Sequence, residues 1–257
     1  MMTDIDEARD WQGNELDCEV CTHHALSILG GCALKRACVF DRYARRIDRF
    51  FSWNPALAND YLSHPHFELR AVAAKYADIF RLPRLLADAD ETVRWNAAAR
   101  LPQRYLLQLR TDPHREVRIR VAARLEGTDL ILMMHDADYY VRQIVAGRIT
   151  SSLLPLMLHD PEPEVRRVVA GRVGIEWLMP LAADGDARVR IEVAQRLPIA
   201  QLPWLISDDD WRVRYVLCDR LEAAQLEVLR DDHDPLVRAR AAERLCAPGT
   251  LLTVEEV

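Results

Sequence analysis

Eight segments of this chain repeat one register with no insertion or deletion, and that regularity limits its fold more than any other feature. Leu69, Val93, Val117, Val141, Val165, Val189, Val213 and Val237 recur with a strict 24-residue period, and each is followed by arginine. Relative to that residue, taken as position 0, positions +4 and +8 are apolar throughout and +5 is Ala except for Cys218. Position +7 is Arg in every repeat but the first, where Tyr76 stands. Self-similarity this strict marks a solenoid, in which each unit buries its apolar face only against its neighbours.

Positions 0, +4, +5 and +8 share one side of a helix. A second apolar pair follows at +13 and +16, from Leu82/Leu85 to Leu226/Leu229. The chain left for that element allows only one or two turns, and the i,i+3 spacing suits a 3-10 helix. No segment shows sustained strand alternation. Asp occupies −5 in seven repeats, with Pro113 or Pro161 after it in two. This reads as an N-cap followed by proline at the first helical position. The first repeat departs from the pattern with His64, His66, Lys75 and Tyr76, and the eighth with Thr250 and Thr253. Atypical end repeats are expected caps.

The arginine at +1 poses a problem. At about 100° per residue it falls inside the apolar arc, where an unpaired charge costs several kcal/mol. An acid stands at −3 in six repeats, which predicts i,i+4 pairs within each helix: Asp90–Arg94, Asp138–Arg142, Glu162–Arg166, Asp186–Arg190, Asp210–Arg214 and Asp234–Arg238. The +1 arginines are therefore structural, the rungs of an Asp/Arg ladder. The +7 arginines sit at the edge of the core arc near the helix C-terminus, where a cation complements the dipole. Their other use would be a stripe for an anionic partner. Of 34 basic residues only Lys35 and Lys75 are lysine, which suits fixed pairing by a rigid guanidinium fork.

Four of the six cysteines, Cys18, Cys21, Cys32 and Cys38, fall before the array with the spacing C-x2-C-x10-C-x5-C. Such clustering points to a metal site rather than a disulfide framework. Four thiolates suit either tetrahedral zinc or an iron–sulfur cube, and on chemistry alone zinc is slightly favoured. Gly30 and Gly31 permit a bend before Cys32, and Lys35 and Arg36 offset the negative charge of such a site. His23 and His24 are expected beside the site or exposed rather than as ligands. His64 and His66 read as a polar cap facing the N-terminal segment. Cys218 and Cys246 lie in separate repeats and read as packing residues.

The strict 24-residue array resembles the leucine-rich repeat variant family over residues 58–257. That resemblance implies an all-α, right-handed superhelical solenoid of alternating α and 3-10 helices. Together with the preceding cysteines, the whole chain is similar to the members of that family that bind a [4Fe–4S] cluster. The resemblance moves the metal expectation from zinc to a [4Fe–4S] cluster held by Cys18, Cys21, Cys32 and Cys38. It implies a cluster domain over 1–55 and a solenoid over 56–257, joined at Asn54 and Pro55. Arg42, Arg45, Arg46 and Arg49 then form a basic helix.

No nucleophile–base pair, phosphate loop or paired-carboxylate pocket occurs in the sequence. The expected function is a non-enzymatic, iron–sulfur-containing scaffold that binds a protein partner and responds to redox state. A nucleic-acid binder and an electron carrier or redox sensor are the alternatives. Net charge of −6 argues against general polyanion binding. The acidic N-terminus is neither a signal nor a transit peptide, and the apolar run at 130–134 is too short for a membrane span. A cytoplasmic setting with reduced thiols is therefore expected, with no membrane partner.

Overall fold

The computed structural model describes residues 7–246, so Thr250 and Thr253 lie outside the described residues. The chain divides into two compact units, one up to residue 129 and one from residue 130. The described residues form α and 3-10 helices; pairing of extended chain is limited to isolated bridges at Arg9/Glu15 and Ala33/Ala37.

The first unit carries a short helix His24–Ile28, a longer one Ala44–Trp53, and the repeat helices Phe67–Ala73, Glu91–Arg100 and Arg115–Ala122. The second carries Tyr139–Arg148, Pro163–Arg172, Ala187–Arg196, Trp211–Cys218 and Pro235–Cys246. Between them run the short second elements, such as 3-10 helices Ile79–Ala87, Ser151–Met157 and Ile199–Leu205. Three of these begin as a single α turn instead, at Gln103–Leu106, Gly127–Ile131 and Ala223–Leu226. Within each unit the core is the one the register predicts. Every residue at position 0 is at most 1% exposed, and the +13/+16 pairs are at most 4% exposed.

The caps differ from expectation. Position −3, not −5, is the N-cap: the carboxylates of Asp90, Asp138, Asp186 and Asp210 accept from the backbone amides of Thr92, Tyr140, Arg188 and Arg212 at 2.8–2.9 Å. The −5 aspartate closes the turn just before, accepting from the amide two residues on, as Asp184 does from Asp186 at 2.9 Å. In the first repeat His64 Nδ1 takes that role, accepting from the His66 amide at 3.1 Å. Pro161 accordingly lies outside its helix, and Pro163 occupies the helix start.

The ladder also forms, but between repeats rather than within helices. Arg166 does not pair with Glu162. Its Nε and Nη2 reach Asp184 of the next repeat at 2.6 and 2.8 Å, while Nη1 donates to the carbonyls of Asp160 and Pro161 at 2.7 and 3.1 Å. The same fork links Arg70 to Asp88 and Arg94 to Asp112 in the first unit. In the second it links Arg142 to Asp160, Arg190 to Asp208 and Arg214 to Asp232. The reason is geometry: the next −5 carboxylate presents both oxygens to a planar guanidinium, and at Asp90, Asp138, Asp186 and Asp210 the −3 carboxylate is also engaged by the first-turn amide it caps.

The +7 arginines are structural too, through a contact the sequence did not suggest. They serve the helix before their own. Arg100 donates to the carbonyls of Ala74 and Ala77, and Arg196 to those of Ala170 and Val173 at 2.5 and 2.7 Å. Arg124 and Arg172 repeat the pattern, and Arg220 reaches the first of the two carbonyls, that of Ala194. The last carbonyls of each helix lack intrahelical donors, and these guanidiniums satisfy them. Cys218 is buried in the alanine slot as expected, but Cys246 is exposed and packs no core.

Candidate metal centre

The cysteine segment is short of core, and its path is set by turns. Helix His24–Ile28 ends at Gly30, whose φ of +77° favours glycine. Gly31 follows in a tight place: an added Cβ would stand 2.6 Å from Leu26 Cδ1. Asn54 donates to the Gly31 carbonyl at 2.8 Å, tying the bend to the end of helix Ala44–Trp53. The turn 33–37 carries Lys35 at its tip with φ +61°, and Ala37 is buried beneath it.

These turns bring Cys18, Cys21, Cys32 and Cys38 to the lining of one small cavity, together with Ala33, Leu34, Ala37, Val39, Phe40 and Phe50. No carboxylate lines it. All four cysteines are half-buried and free. The thiols sense one another. Burial pushes the Cys32 thiol up, and the nearby Cys18 and Cys21 push it further. Burial raises Cys38 to about 11, while the amides of Phe40 and Asp41 pull the other way. Those amides, with the His23 amide 3.4 Å from Cys21 Sγ, supply the N–H donors a thiolate needs in an apolar pocket.

His23 lines the cavity, its ring among Phe40, Phe50 and Tyr61, and it is hydrogen-bonded to the Tyr61 hydroxyl. Burial lowers its pKa despite the opposing charge of Asp60, which favours the neutral imidazole. Burial pushes Tyr61 up to about 12. His24 is exposed, its Nδ1 2.8 Å from the Cys18 carbonyl. His66 stacks on Trp11 at 5.4 Å, and His64 lies against the rings of Phe40 and Tyr61, so both touch residues of the N-terminal segment. The aromatic wall of Phe40, Phe50 and Tyr61 escaped the sequence reading, because its members are spaced along the chain with no helical or strand period.

The basic helix is not uniform. Arg42 precedes it, and Arg46 is buried, held by Asp41 at 2.9 Å and donating to the Glu7 carbonyl at 2.9 Å. Arg45 and Arg49 are exposed, and Arg49 donates to the Arg36 carbonyl at 3.1 Å. Arg36 stacks over Trp53 at 5.6 Å, and neither it nor Lys35 lines the cavity.

A largely apolar cavity lined by four cysteine sulfurs and no carboxylate fits a soft metal centre, either a zinc ion or an iron–sulfur cube. Among the described residues no three His, Cys, Asp or Glu side chains converge closely enough to share one ion. No helix among those residues is long and apolar enough to cross a membrane.

Comparison with known proteins adds a family to this geometry. Residues 8–60 match the family described as "LRV protein FeS4 cluster". An uncharacterized 27.7 kDa protein in the nifB 3' region of Rhodobacter capsulatus is 52% identical over 96 residues, which cover 37% of this chain and 39% of that protein. A solved structure described as a leucine-rich repeat variant with a novel repetitive protein structural motif is 41% identical, with a TM-score of 0.86. That match covers 90% of this chain and 99% of the solved one. With the 24-residue register and the alternation of α and 3-10 helices, this shows that the chain belongs to the leucine-rich repeat variant family.

Proposed function

We propose that the protein is a non-catalytic repeat scaffold carrying a [4Fe–4S] cluster on Cys18, Cys21, Cys32 and Cys38. The observation that carries this is the gathering of all four thiols around one apolar cavity. Four cysteines suit either a tetrahedral zinc ion or an iron–sulfur cube. The likeness of residues 8–60 to the FeS4 cluster family favours the cube. When bound, the cluster supplies one-electron redox chemistry or a purely structural crosslink. The chain's own part is to exclude water with Phe40, Phe50 and Leu34, and to offer the Phe40, Asp41 and His23 amides to the sulfurs.

The array supports a binding role for a protein partner, because a solenoid exposes a long surface on a rigid frame. The aspartate and arginine pairings described above are caps and ion pairs, which favours a scaffold over an enzyme. All six cysteines are free, in keeping with a reducing, cytoplasmic setting. Anaerobic purification tests the cluster. The expected protein is brown, with near-stoichiometric iron and acid-labile sulfide. Both should be lost on Cys→Ser substitution at position 18, 21, 32 or 38, and kept in Cys218→Ser. Colourless protein holding one zinc would overturn the iron–sulfur assignment. A cluster that reduces reversibly and changes partner affinity would support the redox-responsive form of the scaffold.

A further inference from the structure

One register position in the second unit contradicts its surroundings. At +15, on the short second element, the first repeats carry Arg84 and Gln108, as solvent would dictate. The next five carry Leu132, Leu156, Pro180, Trp204 and Val228. Position +15 lies between the buried positions +13 and +16, and its side chains point outward. Leu132 is 62% exposed, Leu156 67%, Trp204 77% and Val228 64%, and Pro180 is also exposed. Single exposed apolar residues are ordinary, but a row of five in consecutive repeats is the kind of patch that marks an interaction site. None of the five is needed by the core, which closes beneath them.

The row has a polar companion. Leu156 shares a surface groove with Asp136 and Asp160, and Trp204 shares one with Asp184, Asp208 and Asp209. The −5 aspartates among these are held by +1 arginines, as Asp160 is by Arg142 and Asp208 by Arg190. Asp209 and Asp231 are exposed along the same edge. Arg142 and Arg190, which also line these grooves, are engaged by Asp160 and Asp208, and Arg230 is paired with Glu227. An apolar row thus runs beside an edge with surplus negative charge. Packed helices stand roughly 8–10 Å apart, and seven residues of α-helix rise about 10.5 Å, so apolar residues every seventh position would meet successive repeats.

We propose that the row Leu132, Leu156, Pro180, Trp204 and Val228 is the docking surface for a cationic amphipathic helix of a partner protein. Apolar side chains of that helix seat between successive members of the row, and its Lys/Arg face meets Asp209 and Asp231. This rests on the reading of the array as a protein-binding scaffold and is independent of the cluster.

The test uses the full chain and a labelled synthetic helix with Leu on one face and Lys on the other, read by fluorescence anisotropy. Leu156→Ser and Trp204→Ser should each weaken binding by about tenfold or more, as central apolar anchors do. Asp209→Asn with Asp231→Asn should weaken it and flatten its salt dependence. Phe80→Ser, which removes a still more exposed apolar residue of the first unit, should change nothing. Equal binding of a Leu/Glu helix, or of a Lys helix with Ser in place of Leu, would overturn the proposal. So would a protein dimer that dissociates on Trp204→Ser, since a second copy would then be the occupant. Cys18→Ser protein should still bind the helix, which separates failure of this site from failure of the cluster assignment.

Discussion

Arg214 closes both arms of its guanidinium on Asp232 at 2.6 and 2.9 Å, with the two side chains only 3% and 4% exposed. This pair joins one repeat to the next, so it should act on the array's cooperativity rather than on a single helix. Arg214→Ala strands a buried carboxylate and is expected to cost about 3 kcal/mol. Arg166→Ala, at a pair whose arginine is 17% exposed, should cost less, about 1–2 kcal/mol. Glu162→Ala, whose side chain neither pairs with Arg166 nor makes a cap hydrogen bond, should stay within about 0.5 kcal/mol. Urea midpoints of the three variants check the order. A Glu162→Ala loss equal to that of Arg166→Ala would restore the intrahelical ladder.

Acid should dissolve the same contacts. Burial alone would raise the Asp184 carboxyl, but the Arg166 fork and the Asp186 amide outweigh it and hold it below the ordinary 3.8. The Arg214 fork likewise lowers Asp232. A lowered folded value means stability that is fully present above the unfolded pKa and is lost as pH falls through the folded one. Stability should therefore be level above about pH 5 and fall progressively below about pH 4. Asp184→Asn should be less stable at neutral pH yet show a shallower acid slope in the same denaturation series.

Arg196 binds two carbonyls of the preceding helix, so its removal should be felt as stability and not as loss of polyanion binding. Arg196→Ala is expected to cost about 1–2 kcal/mol, and Arg196→Lys about half of that, since an ammonium lacks the two-pronged reach. Heparin-column retention of both variants should match the parent to within the effect of one charge. A marked drop for Arg196→Ala alone would return the +7 row to an anion-binding role.

Two glycines should respond in opposite directions. Gly147 sits near the end of helix Tyr139–Arg148, with open space where a Cβ would go, so Gly147→Ala should stabilise by about 0.5–1 kcal/mol. Gly30 holds φ +77°, so Gly30→Ala should cost about 1 kcal/mol and loosen the cysteine segment. Thermal melts of both proteins, with hydrogen exchange over the cysteine segment for Gly30→Ala, check this.

The 24-residue register by itself determined the repeat number, the buried faces at 0, +4, +5, +8, +13 and +16, and the short second element. These follow from periodicity, which one chain displays without folding. The clustering of Cys18, Cys21, Cys32 and Cys38, which line one cavity, was legible in the same way, through residue type and spacing. Only the tertiary structure decided who pairs with whom. Along the sequence Glu162 is the near neighbour of Arg166, but Asp184 in the next repeat offers both carboxylate oxygens to the fork, and Arg166 takes that bidentate site although the Glu162 side chain makes no cap hydrogen bond. Arg196 likewise looked like a partner of its own helix end and serves the preceding one, because stacking sets its guanidinium against carbonyls that lack donors. The aromatic wall around the cysteines and the outward row at +15 depend on which side chains the packing leaves at the cavity and at the surface. Spacing records the period of a solenoid, whereas contacts between repeats depend on side-chain reach and on which polar groups the helix ends have already used.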